Sequence, residues 1–274
     1  MPTVLVLQHP AIASCDLSDF PATPPYSDSV VRIPVADGFE LPAAAAARLA
    51  AQQIDYALVP DMAFAELGLI VSDMDSTLIT IECIDEIAAG VGLKEQVAEI
   101  TERSMRGELD FEQSLRERVA LLAGLNQDTL QQVYDQVLQL SPGAEYLLAE
   151  CKRHQVKFML VSGGFTFFTD RLQARLGLDC AYANQLESAD GHLTGGLNGR
   201  IIDAQAKADL LREYRQQLGL QPHQVLAMGD GANDIPMLQA AGIGVAYRAK
   251  PKTREQADAS ICFNGLEAVR GLFR

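Results

Sequence analysis

"LGLIVSDMDSTLIT" (Leu67–Thr80) starts as an apolar run and ends in acids and hydroxyls. Leu69, Ile70 and Val71 are β-formers, and an unbroken apolar run suits a strand covered on both faces. Asp73 and Asp75 then stand one residue apart. Neighbouring carboxylates repel each other and are costly to desolvate, so the stretch calls for a positive charge between them.

Outward from it the same grammar recurs. "VKFMLVSGG", "CAYANQLE", "QVLAMGDG", "GIGVAY" and "ASICF" read as further buried strands. Helical patterns such as "AEYLLAECKRH", "FTDRLQARLG", "AQAKADLLREYRQQLG" and "NDIPMLQAAG" separate them. The alternation predicts an α/β fold, a Rossmann-like parallel sheet with helices on both faces. Residues 81 to about 140 interrupt it with amphipathic helices, among them "LKEQVAEITERSMRG" and "FEQSLRERVALLAGL". A helical cap inserted after the first strand of this unit would sit over that strand's C-terminal end, where open parallel sheets bind ligands. "ESADGHLTGGLNGR" reads as a Gly-rich hairpin beside the site, either an ordinary surface hairpin or a flap. Residues 1–66 differ in kind: "TVLVLQ", "SVVRIPV" and "DYALVP" read as strands, "LPAAAAARLAAQQ" as a helix and "DFPATPPYSD" as a Pro-rich loop. The predicted organisation is a small α+β N-terminal domain (1–66) and a catalytic domain (67–274) carrying the cap.

Bulk properties narrow the function classes. The 274 residues are 48% apolar and 21% charged, as in ordinary globular proteins. A net charge of −14 argues against nucleic acid or an anionic membrane as the main partner. A few inward cations and a bound metal can still make a cleft attractive to a small anion. No stretch approaches the roughly 18 apolar residues that span a bilayer. "MPTVLVLQHP" lacks the basic start and cleavage site of a secretory signal, so the chain is read as cytoplasmic. Five scattered cysteines without a CxxC pair read as reduced core thiols. A Walker A pattern is absent, and "GIGVAY" lacks the third glycine of a dinucleotide fingerprint. A homodimer is compatible with the sequence and not specified by it.

Three strands end in polar clusters: "SDMDST", "VSGGFT" and "MGDGANDIPML". In a parallel sheet these ends lie along one edge, so Asp73, Asp75, Ser162, Asp230, Asn233 and Asp234 would converge. Four aspartates at one site need a hard cation, and an all-oxygen donor set suits Mg²⁺. A surplus carboxylate suggests a nucleophile that attacks phosphorus to form an aspartyl-phosphate, with the second aspartate as general acid and base. Ser162 and the N–H groups of Gly163 and Gly164 supply donors for a phosphoryl group, and Lys207 supplies a point charge. Each element alone has a local reading. Gly231 makes a turn, Asn233 caps a helix with Pro236 in its first turn, and Lys207 lies on a solvated helix face. Their order, each after an apolar strand, favours a shared site.

"DMDSTLI", "VSGGF", the helix-borne Lys207 and "GDGANDIPML" resemble the haloacid dehalogenase superfamily of aspartyl-phosphate phosphatases. "TIECIDEIA" and "SMRGELDFEQSLRERVALLAGL" make the likeness narrower, to its phosphoserine phosphatases, over roughly residues 67 to 274. The resemblance implies Asp73 as nucleophile and Asp75 as general acid/base. It implies Mg²⁺ held by Asp73, Asp230 and the backbone carbonyl of Asp75, with Asp234 supporting that shell. Ser162, Gly163 and Lys207 would hold the phosphoryl group, with Asn233 nearby. Glu82 would meet the substrate ammonium, Arg118 its carboxylate, and Met105 and Phe111 would close over the ligand. The activity so implied is Mg²⁺-dependent hydrolysis of O-phospho-L-serine, the last step of serine biosynthesis. A relative acting on another small phosphomonoester, or transferring the phosphoryl group to an alcohol, would share the machinery. A catalytically silent amino-acid sensor is a third reading.

Overall fold

The computed structural model describes residues 2–36 and 38–274. In chain order its elements are β1 (Thr3–Gln8), β2 (Val30–Val35), α1 (Ala43–Ala51), β3 (Asp55–Pro60) and β4 (Leu69–Ser72). The helices α2 (Cys83–Gly90), α3 (Lys94–Met105), α4 (Phe111–Ala120) and α5 (Asp128–Gln136) follow. Next come α6 (Ala144–His154), β5 (Lys157–Phe165), α7 (Thr166–Leu176), β6 (Cys180–Ala189), β7 (His192–Asn198) and α8 (Ala204–Gln217). The chain closes with β8 (Val225–Gly229), α9 (Ile235–Ala240), β9 (Ile243–Tyr247), α10 (Pro251–Arg254), β10 (Ala259–Ile261) and α11 (Glu267–Gly271).

Among the described residues, ten strands form one sheet in the order β2-β1-β3-β10-β9-β8-β4-β5-β6-β7. The block from β10 to β6 is parallel throughout. β4 lies inside it, with Val71 opposite Met159 of β5 and Ala227 of β8. Successive strand residues face opposite ways. Leu69 and Val71 therefore join one core cluster with Val161 and Leu211, while Ile70 joins the other with Leu160 and Met228. That two-sided burial explains the unbroken apolar run.

The N-terminal strands extend this sheet: β3 pairs antiparallel with β10 at Ala57 and Ala259. The seam is fastened by a buried carboxylate, Asp55, which accepts the backbone N–H of Cys262 at 2.7 Å and of Asn264 at 2.9 Å, and shares that of Phe263. Arg32 donates to the carbonyl of Leu272 at 2.9 Å across the same seam.

The insertion after β4 is helical, as expected. The chain enters it through Ser76, whose φ of +54° is left-handed. Its two connectors are laced together, Thr80 N–H to Gln139 O and Ser141 N–H to Leu78 O, both at 2.9 Å. The far edge of the cap is tied to the β6–β7 hairpin by Gly124 N–H to Leu193 O at 2.7 Å and Gln127 N–H to Gly191 O at 3.0 Å. The hairpin thus buttresses the cap. Among the described residues, no helix is long and apolar enough to cross a membrane.

Candidate active site

β4, β5 and β8 are neighbours, so their C-terminal ends bring the three polar clusters together. Asp73 follows β4 directly. It is 5% exposed, and its Oδ1 accepts the N–H of Met74 at 2.7 Å. Lys207, one turn into α8 behind the cap residue Asp203, is 1% exposed. Its Nζ lies 2.8 Å from Asp73 Oδ1 and 2.8 Å from Asp234 Oδ1. The lysine is therefore a buried bridge between two acids, not part of a solvated face. Burial pulls its pKa down, but Asp234 and Asp73 outweigh this and hold the ammonium above the ordinary lysine range.

Asp234 is fully buried, and its Oδ2 accepts the N–H of Gly231 at 3.0 Å. Gly229 is required beside it, because a Cβ there would stand 2.4 Å from the Asp234 carboxyl carbon. Asp230 accepts from the Thr77 hydroxyl at 3.4 Å. Asp73, Asp230 and Asp234 each offer a carboxylate oxygen, all within 4.8 Å of one another. Burial, reinforced by Asp234 and Glu82, pushes Asp230 up to about 6. Burial and Asp234 likewise drive Asp73 well above the usual aspartate range, against the pull of Lys207. One ammonium does not balance this concentration of acid. An all-oxygen donor set short of positive charge is what a hard divalent cation fits.

Asp75 keeps a solvent-facing edge, and its Oδ1 accepts the N–H of Cys83 at 3.2 Å. Burial, with Glu82 nearby, pushes it up to about 7, where a carboxyl can both give and take a proton near neutrality. Its Oδ2 faces Gly164, where a Cβ would come within 2.8 Å. Ser162 is buried, and its Oγ accepts the N–H of Gly164 at 2.8 Å. That N–H is consequently engaged within the loop, so of the three donors expected there the Ser162 hydroxyl and the Gly163 N–H are the two without this engagement. Asn233 lies over the Gly231 turn, its Oδ1 2.1 Å from where a Gly231 Cβ would sit.

The cap brings its own groups. Glu82 caps α2, and its Oε1 accepts from the Ser76 hydroxyl at 2.6 Å. Arg118 of α4 donates Nε to Ser114 O at 3.3 Å and feels Asp85, Glu82 and Asp75. A capping box at Asp110 starts α4, with Gln113 N–H to Asp110 Oδ1 at 2.8 Å, and so sets Phe111 at its first position. The Phe111 ring covers Gly163, its Cζ 3.1 Å from a Cβ placed there. Met105 is left 69% exposed at the end of α3.

One supporting residue went unread. Asn184 of β6 is buried, donates Nδ2 to Gly163 O at 2.8 Å and accepts the N–H of Ile202 at 2.8 Å, so it fixes the "SGG" loop. An amide at a buried position of the strand-like stretch "CAYANQLE" was its signal.

A phosphoserine phosphatase of Polaromonas sp. is 50% identical over 220 residues, covering 78% of this chain and 93% of that protein. The unliganded crystal structure of a probable phosphoserine phosphatase from Vibrio cholerae superposes with a TM-score of 0.84 at 40% identity, over 99% of this chain and 86% of that one. A substrate-bound phosphoserine phosphatase and a phospho-aspartyl intermediate analogue each superpose with a TM-score of 0.71 at 38% identity, over 76% of this chain and 99% of theirs. Residues 70–239 match the model of the haloacid dehalogenase-like hydrolases. With the acids, the lysine and the capped parallel sheet in place, the chain belongs to the haloacid dehalogenase-like hydrolase family.

Proposed function

We propose that the protein hydrolyses O-phospho-L-serine to L-serine and phosphate through a phosphorylated Asp73. The observation that carries this reading is the Asp73–Lys207–Asp234 bridge set beside Asp75, in a cleft capped by Glu82 and Arg118. Asp73 Oδ attacks phosphorus as the bond to the serine oxygen breaks, and Asp75 gives its proton to that oxygen. Asp75, now a carboxylate, takes a proton from water. The water oxygen bonds to phosphorus, the Asp73–phosphorus bond breaks, and phosphate leaves with both aspartates restored. Ser162, the Gly163 N–H and Lys207 bind the phosphoryl oxygens, with Asn233 at the rim. Glu82 pairs with the substrate ammonium and Arg118 with its carboxylate, which sets amino-acid esters apart from sugar phosphates. Phe111 and Met105 exclude bulk water when the cap, residues 81 to about 140, closes.

Asp73, Asp230 and the Asp75 carbonyl would hold Mg²⁺, with Asp234 behind them. The ion would supply charge neutralisation at the phosphoryl oxygens. We place the enzyme in the cytoplasm, where free thiols such as its five cysteines persist. Phosphate release from a panel of phosphomonoesters, with and without chelator, tests the assignment. Preferred, chelator-sensitive release from phosphoserine supports it. Equal use of sugar phosphates or undiminished activity in chelator overturns it.

A further inference from the structure

The segment after β9 reads "YRAKPKTR" (Tyr247–Arg254) and carries Arg248, Lys250, Lys252 and Arg254 in a chain of net charge −14. All four are exposed, and none is paired with a carboxylate among the described residues. Arg248 and Arg254 line a cavity of about 420 Å³ together with Gln53, Ala249, Cys262 and Phe263. This cavity lies on the seam, with Gln53 coming from the N-terminal module. Its guanidinium groups rest on long, neutral contacts: Arg248 Nη2 to Asn264 O at 3.3 Å and Arg254 Nη1 to Cys262 Sγ at 3.7 Å. Such contacts exchange readily for an anion, which a planar guanidinium binds through two parallel hydrogen bonds. Arg248 and Gln53 are also two of only five non-glycine residues with left-handed φ among the described residues, at +46° and +57°. Phe263 adds an exposed aromatic rim.

We propose that this cavity is a second binding site, for a small phosphate-bearing anion held by Arg248 and Arg254, with Phe263 stacking on a planar ring when the ligand has one. Its volume exceeds what a bare phosphate fills and falls in the range of small-molecule sites, so a nucleoside monophosphate is the fitting class. The site is also wired to the acid cluster: two residues beyond Arg248, Lys250 gives its N–H to the carbonyl of Asp230 at 3.4 Å. Only that coupling rests on the phosphatase reading; the binding does not.

Calorimetric titration of the full chain in chelator, with adenosine monophosphate and separately with inorganic phosphate, tests the site. Adenosine monophosphate should bind one equivalent. Arg248→Gln combined with Arg254→Gln should weaken it by at least about tenfold, because two charge-assisted contacts are lost. Phe263→Ala should weaken the nucleotide and leave phosphate unchanged. If phosphate binds as tightly as the nucleotide and depends on the arginines in the same way, the site stands and its ligand is inorganic phosphate. Undiminished binding of both ligands by the double variant, or no binding of either to the wild type at millimolar concentration, overturns the proposal. All variants should keep kcat/KM for phosphoserine within about twofold, since none touches the acid cluster. No release from phosphoserine by the wild type would instead strike the phosphatase reading and leave the titrations standing.

Discussion

Asp73 and Lys207 need each other: the carboxylate is buried against Asp234, and the ammonium between them is what makes two such acids tolerable. Asp73→Asn keeps the shape and replaces by an amide the carboxylate proposed to attack phosphorus. Phosphate release should fall by more than about a thousandfold, while the thermal midpoint holds or rises because a disfavoured charge has gone. Retained turnover would end the covalent mechanism. Glu82 is a second case of burial tuning a carboxyl. Desolvation, with Asp85 nearby, holds it above the usual glutamate range against the pull of the Ser76 hydroxyl and Arg118. A raised pKa means that the carboxylate is lost sooner as pH falls. The KM for phosphoserine should therefore climb on acidification more steeply than the KM for phosphoglycolate, which lacks the amine. Parallel KM curves for the two esters would remove Glu82 from amine recognition.

α4 carries Arg118, proposed above to pair with the substrate carboxylate, and its capping box fixes where the helix begins. Arg118→Ala should raise the KM for phosphoserine by about tenfold or more, the loss of a charge-assisted contact, and change phosphoethanolamine by less than about twofold. Equal losses on both esters would contradict the assignment. The strand-end acids and the cap were legible because apolar runs followed at once by acids, and helical periods without strands, are local patterns. The engaged Gly164 N–H was not, because the serine two residues away takes it by folding back, a matter of loop geometry. Nor was Asn184, whose partners Gly163 and Ile202 are about twenty residues off on either side.

One carboxylate, Asp55, gathers the densest set of hydrogen bonds across the seam. Asp55→Ala would strip acceptors from the half-exposed N–H groups of Cys262 and Phe263 and from the buried N–H of Asn264, and an orphaned buried donor costs about 1–3 kcal/mol. The urea midpoint should fall by the equivalent of about 2 kcal/mol, and Asp55→Asn should recover part of it. A variant as stable as the wild type would show that the sheet holds without this fastening. The sequence could not announce the seam, since its partners lie more than 200 residues apart. The cap, finally, is moored in two places, at its laced connectors and at the hairpin, whereas the turn at 106–110 makes no backbone hydrogen bond outside the cap among the described residues. A cap opening about the line between those moorings would carry the corner from Met105 to Phe111, with its exposed thioether, farthest.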